Sequence, residues 1–284
     1  MEELLSIVFK TIPFRWTSVS GGDICQAALI ETSDQKLFAK YHPGAFAFDM
    51  LEKERFGLEA LLQACPDSTP TVMGLFSSEN IGALLVMDYL EPLPPTRNHY
   101  LNLASSLAYI HRKSTDQFGF AKDNYIGSLP QSNAWHDRFV DFFIEERLLP
   151  QILRACDQGR LSVEYIHLVE LNGYVLNSII PEESPSMVHG DLWKGNVIYS
   201  KLGKVYYIDP SVYFGHREVD IAMMKLFGGF HPMVYEYYDD QYPLSAGWQK
   251  RLEIYQLYYL LVHLNLFGSS YSQPVLSILN RYFR

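Results

Sequence analysis

His189, Asp191 and Asn196 stand in the order H-x-D-x-x-x-x-N within "MVHGDLWKGNVIY", residues 187–199, with an apolar run on each side. Asp209 follows thirteen residues after Asn196, at the end of the strand-like "VYYID". Asn196 and Asp209 would bracket a short hairpin and offer it two oxygen donors. That pair suits Mg2+, a hard cation that keeps waters and phosphates in its remaining positions. Asp191 is then left to accept a proton from an attacking hydroxyl. Each residue also has an ordinary reading, because Asp and Asn favour turns and Asp209-Pro210 is a plain strand exit. It is the ordered set that carries the inference.

A second pair lies upstream. Met50, Leu51, Leu58 and Leu61 form one helical stripe, and Glu54 sits in the middle of it. A carboxylate on a buried face is costly unless a cation meets it. Lys40, closing the apolar strand "LFAK", is the nearest candidate, and Gly57 would let the helix approach the sheet. A strand Lys followed by a helix Glu is the arrangement that positions nucleotide phosphates in kinases. A metal hydrolase could use Asp191, Asn196 and Asp209, but it leaves Lys40 and Glu54 without a role.

The elements that must hold these residues are legible. Residues 1–11 read as a short amphipathic helix. "ALIET" and "KLFAKY" read as strands paired around "SDQ". Residues 46–64 have helical periodicity, and "TVMGLF" and "GALLVMDYL" are two further strands. "EPLPPT" holds three prolines in four residues and continues neither helix nor strand, so it is a hinge. Beyond it, 98–113, 134–156, 161–179 and 249–267 are helical, and "NVIY" and "KVYYID" are short strands. The expectation is an α+β chain with a β-rich lobe over 1–90 carrying one main helix, and a larger, mostly helical lobe over 91–284.

Bulk composition narrows the partners. The net charge of −9 argues against nucleic acid, which needs clustered Lys and Arg. Cys25, Cys65 and Cys156 are odd in number and widely spaced, so neither a zinc site nor a disulfide framework is expected and a reducing cytoplasm fits. The acidic N-terminus does not read as a signal peptide, and no apolar run reaches the ~20 residues of a membrane span. Oligomeric state is not readable.

The set Lys40, Glu54, "HGDLWKGN" and Asp209 resembles the protein-kinase-like fold, in its small-molecule branch with the aminoglycoside and choline kinases. "FGFAKDNYIGSLPQSNAWHDRFVDFFIEERLLPQI", "IDPSVYFGHREVDIAMMKLFGGF" and "YQLYYLLVHLNLFG" are similar to the fructosamine/ketosamine 3-kinase family, over nearly the whole chain. The resemblance implies transfer of the γ-phosphate of ATP to the 3-hydroxyl of a ketosamine, a small sugar–amine adduct. It implies Asp191 as base, Asn196 and Asp209 on Mg2+, and Lys40 on the α/β-phosphates, held by Glu54. It also implies an adenine hinge with Met87 as gatekeeper, the Asp88 carbonyl and the Leu90 N–H. His189 and Asp220 would brace the catalytic loop.

Asn124, Arg217, His263 and Asn265 are candidates for acceptor contact, each with a structural alternative. Trp193 is another. Protein kinases place a Lys at its position, and an indole there offers a flat face to a sugar or an amine. Three departures stand out. The loop "VSGGDICQAA" has only Gly21 and Gly22 to cradle phosphate. Cys25 comes two residues later than the Cys of many relatives, so thiol regulation is in doubt. Asp209 is followed by Pro-Ser rather than Phe-Gly, so a mobile Phe switch is not expected. An aminoglycoside- or choline-type kinase and a non-catalytic nucleotide-binding pseudokinase are the competing readings.

Overall fold

The structure, a computed structural model, describes residues 1–19, 25–78 and 80–284. Two compact units are formed. One comprises Met1–Asn102 with Val197–Pro210, the other Leu103–Asn196 with Ser211–Arg284.

The first unit is built on an antiparallel sheet of β1 (Phe14–Val19), β2 (Gln26–Thr32), β3 (Lys36–Pro43), β4 (Val72–Ser78) and β5 (Gly82–Asp88), in the order β1-β2-β3-β5-β4. Alternation along the strands sorts its two faces. Ile30, Leu37, Ala39, Tyr41, Leu84 and Val86 pack with Leu4 and Leu5 of helix α1 (Glu2–Val8). Ala83, Leu85 and Met87 point the other way, against Ala47, Leu51 and Leu58 of helix α2 (Ala47–Ala64). Lys40 pairs with Leu85 in the β3–β5 register, so parity delivers its side chain to the α2 face.

The hairpin of strands Val197–Tyr199 and Val205–Tyr207 also belongs to this unit. The Leu93 N–H donates to Tyr199 O at 2.8 Å, Asn102 Nδ2 to Gly203 O at 2.9 Å, and the Tyr207 N–H to Ser68 O at 2.7 Å. The linear division at 90/91 is therefore corrected. The hairpin that leads to Asp209 is distant in sequence but is bonded into the first unit. Gly57 also differs from expectation in what it approaches. A Cβ there would lie 2.9 Å from Pro210 Cγ, so at this position the helix closes on the residue after Asp209.

The second unit is mostly helical. Its helices are α3 (Arg97–His111, which begins in the first unit), α4 (Phe139–Phe142), α5 (Leu149–Asp157), α6 (Glu164–Asn172), α7 (Glu218–Leu226), α8 (Pro232–Gln241), α9 (Trp248–Phe267) and α10 (Ser272–Phe283). The helical run expected over 134–156 contains a π-helical turn at Phe143–Leu148, where the Leu149 N–H reaches Ile144 O. Pro150 lies one residue beyond and has no N–H to give an α-helical ladder. Helix α9 is buried on most of its circumference, from Leu252 to Asn265, and forms the axis of the unit. No helix among the described residues is long and apolar enough to cross a membrane.

Two small ladders were not read from the sequence: Asn124–Ile126 with Leu129–Gln131, and Ser186–Val188 with Tyr213–Gly215. The first grips the chain just after Pro210. Asn124 Nδ2 donates to Val212 O at 2.8 Å, Gln131 Nε2 to Ser211 O at 3.3 Å, and Ser211 Oγ to Tyr125 O at 2.7 Å. Asn124 Oδ1 in turn accepts from Gln131 at 2.7 Å and Asn133 at 3.1 Å. Behind Asn133 stands the fully buried Arg147, which donates to Asn133 Oδ1 at 2.6 Å and lies 4.0 Å from the centroid of Tyr213.

Two stability outcomes follow from this packing. Gly57→Ala should fail to deliver the ~1 kcal/mol that replacing a mid-helix Gly normally gains, because the new methyl meets Pro210. A full gain in urea denaturation would show that Pro210 yields freely. Asn124→Ala should cost about 1–3 kcal/mol, since it strands buried polar partners, and an unchanged denaturation midpoint would contradict the clamp.

Candidate active site

In the first unit, Lys40 Nζ donates to Glu54 Oε1 at 2.7 Å and also to Asp209 Oδ1. The Lys40 and Glu54 side chains are only 12% and 16% exposed, so this is a largely desolvated pair and losing one partner would strand the other. Burial alone would lower the Lys40 ammonium; Asp209 and Glu54 outweigh it and hold the group above its ordinary value. Burial pushes the Glu54 carboxyl up to about 7, with Lys40 opposing and Asp209 adding to the rise. Asp209 has φ 54°, in the left-handed region. Asp tolerates that region better than most residues, and such backbone persists where surrounding contacts fix it.

Cys25 packs against the α2 side of the sheet, and the charges of Lys40, Glu54 and Asp209 all act on its thiol. Burial pushes the thiol up to about 11, so it is not a thiolate at neutral pH. Met87 is buried in the same cluster, and Asp88 and Leu90 follow it at the end of β5. Gly21 and Gly22 lie outside the described residues.

In the second unit the loop 189–196 is fixed from three sides. The fully buried Asp220 accepts from the His189 N–H at 2.7 Å and the Gly190 N–H at 3.0 Å. His111 Nε2 lies 3.1 Å from the same carboxylate, while its Nδ1 lies 2.7 Å from Tyr238 Oη. His189 Nδ1 accepts from the Asp191 N–H at 3.2 Å. From helix α9, the Tyr259 hydroxyl donates to Gly190 O at 2.9 Å, and the Ser211 N–H donates to His189 O at 2.9 Å. Gly190 has φ +82°, and a Cβ there would fall 2.0 Å from Ser211 O, so no other residue fits. His189 and Asp220 thus brace the loop in the way expected of them. His111 and Tyr259 were missed, because a single His or Tyr on an apolar helix is indistinguishable from a core residue.

On that frame, Asn196 Nδ2 donates to Asp191 O at 2.9 Å and to Asp191 Oδ2 at 3.2 Å. The side-chain nitrogen is thereby spent on Asp191, and the amide oxygen is the donor left to a hard cation. Trp193 is 42% exposed, and its ring lies across Gly195, where a Cβ would sit 2.2 Å from the indole. The glycine is the floor on which the indole rests.

Three of the residues expected at the acceptor also make bonds within the chain. Asn124 is spent on the clamp described above. The Arg217 fork is occupied by Glu183, at 2.7 and 3.1 Å, and by the carbonyls of Tyr242 and Pro243, at 2.7 and 2.6 Å. Asn265 is buried and donates to Gln151 O and Oε1, each at 2.9 Å. Short polar motifs recur for structural and for binding reasons alike, and their residue types do not separate the two. His263 differs, being only partly buried among exposed rings.

A family model described as fructosamine kinase matches residues 10–284. A protein of Enterococcus faecium assigned as a ketoamine kinase is 39% identical over 278 residues, 96% of this chain and 95% of that one. The chloroplastic protein-ribulosamine 3-kinase of Arabidopsis thaliana is 34% identical over 272 residues, 94% of this chain and 82% of that one. Among solved structures, a Thermobifida fusca protein assigned as a fructosamine-3-kinase superposes with a TM-score of 0.86 at 29% identity, covering 99% of this chain and 98% of that one. The aminoglycoside phosphotransferase APH(4)-Ia, as a thermostable mutant in ternary complex with AMP-PNP and hygromycin B, superposes with a TM-score of 0.67 at 17% identity, over 99% of this chain and 97% of that one, and so shares the fold. The chain belongs to the fructosamine kinase family.

Proposed function

We propose that this protein is an ATP-dependent kinase that phosphorylates the 3-hydroxyl of a small ketosamine of the fructosamine or ribulosamine type. The observation that carries the proposal is the loop 189–196. It sets a carboxylate, Asp191, against the amide of Asn196, and it exposes an indole where a protein kinase has a cation. Relatives named for ketoamine and ribulosamine phosphorylation support the choice of acceptor.

In this reading Asp191 orients the sugar hydroxyl and takes its proton as the oxygen attacks the γ-phosphorus. The bond to the β-γ bridging oxygen breaks, and ADP leaves. Lys40, kept charged by its two carboxylates, binds the α/β-phosphates. Met87, the Asp88 carbonyl and the Leu90 N–H receive the adenine, with Gly21 and Gly22 on the phosphate side. Asn196 and Asp209 fit Mg2+ because each presents an oxygen, and the cation would supply charge neutralisation at the phosphates. Positioning and electrostatics carry most of the rate in such a transfer. His263 serves on the acceptor side.

Two further points belong to the same reading. Cys25, Cys65 and Cys156 are all free thiols, in keeping with a cytoplasmic protein. The partner is a glycated small molecule or amine, with no role for nucleic acid or membrane.

The deciding experiment measures ATP consumption with fructosamine, ribulosamine, an aminoglycoside and choline. Turnover confined to the last two would sink the ketosamine assignment, and tight nucleotide binding with no turnover would favour a pseudokinase. Asp191→Ala should reduce kcat by about 10²–10⁴-fold while ATP binding, measured by calorimetry, persists. Undiminished turnover would remove Asp191 from the role of base. Trp193→Ala should raise KM for the ketosamine far more than KM for ATP, whereas equal effects would mark the indole as packing alone.

A further inference from the structure

Helix α9 meets the catalytic loop where the Tyr259 hydroxyl donates to Gly190 O, beside Asp191. His263 and Phe267 follow at successive steps of four, so they stand in line with Tyr259 on the same side of the helix. Around His263 three further rings converge. Its centroid lies 4.8 Å from that of Phe227, 5.3 Å from Phe267 and 5.1 Å from Tyr271. Packing alone explains the closeness but not the exposure: Phe227 and Phe267 are 42% and 50% exposed. A second contact ties this cluster to the loop. The stem of Lys194, next to Trp193, lies over Gly229, two residues from Phe227, where a Cβ would come 2.6 Å from Lys194 Cδ.

The histidine is chemically specified. His263 Nδ1 lies 2.7 Å from Tyr259 O. A carbonyl only accepts, so Nδ1 carries the proton and Nε2 is left as an acceptor. Burial lowers the imidazole's affinity for a proton, which keeps that acceptor available at neutral pH. Two half-exposed phenyl faces beside a neutral imidazole attract an alkyl chain and an attached cation, and they offer nothing to an anion.

We propose that Phe227, His263, Phe267 and Tyr271 form a subsite for the arm borne by the amine nitrogen of the acceptor. This rests on the ketosamine reading above. A ketosamine carries its sugar on one side of a protonated amine and an organic chain on the other. With the sugar hydroxyl at Asp191, the chain side extends along α9 over these rings. The enzyme therefore selects for the amine as well as for the sugar, and favours acceptors with an extended alkyl arm, as a lysine side chain provides.

The test compares two acceptors that share one ketose, the adducts of methylamine and of n-hexylamine, in wild type and in the double variant Phe227→Ala, Phe267→Ala. Burial of a methylene is worth about fourfold in affinity. Partial coverage of the longer arm should therefore give the wild type at least a roughly tenfold preference in kcat/KM for the hexylamine adduct. That ratio should fall towards one in the double variant. If the double variant does not fold, Phe227→Ala alone should show a smaller fall in the same direction. A wild type that does not distinguish the adducts, or a ratio that survives the substitutions, overturns the subsite and leaves the kinase assignment standing. A wild type that phosphorylates neither adduct, with active turnover of another acceptor class, overturns the ketosamine reading and the subsite with it.

Discussion

A carboxylate with no access to water has to be surrounded by donors, and in the second unit the loop 189–196 and helix α3 supply them to Asp220. Asp220 takes two consecutive backbone N–H groups, those of His189 and Gly190, and the imidazole of His111. Leaving such a group unsatisfied would be costly. The backbone must therefore turn at Gly190, through a φ of +82°. That turn aims the following residue, Asp191, and allows the Ser211 N–H to close on His189 O. Helix α7 is the element on which the loop 189–196 is mounted.

The first unit solves the opposite problem, a buried cation. Lys40 reaches the α2 face by strand parity, and two carboxylates from distant parts of the sequence meet it there. Asp209 arrives on a hairpin bonded to residues 93 and 102, and Gly57 has no side chain so that Pro210 can stand against α2. The charges are thus satisfied within the unit, and Lys40 is held protonated.

The sequence disclosed what is local or periodic. The strand pair around Ser33–Gln35, the helix 47–64 and the helix 248–267 each declare themselves by alternation or by a 3.6-residue period. The ion pair of Lys40 and Glu54 was legible because an acid in an apolar stripe demands a partner. What remained hidden depends on long-range closure. The hairpin of Asp209 could be placed in the first unit only through bonds spanning about a hundred residues. Asn124, Arg217 and Asn265 stood out in the sequence by residue type alone. Their partners, which are carbonyls and a carboxylate of the same chain, cannot be read from composition.

The departure at Asp209-Pro210-Ser211 has a structural counterpart in the bonds made by the residues that follow Asp209. In a switchable kinase the residues after the metal-binding Asp must be free to leave their site. Here Ser211 gives its N–H to His189 O, its hydroxyl to Tyr125 O, and its carbonyl to Gln131, while Val212 O accepts from Asn124. Releasing the segment would break all four bonds, three of which join it to the 124–131 hairpin, and each bond is worth about 1 kcal/mol even before stranded partners are counted. The segment next to Asp209 is therefore built as a fixed support. On the proposed reading, selectivity is left to the acceptor side, where Trp193, Phe227 and Phe267 are among the large rings open to solvent.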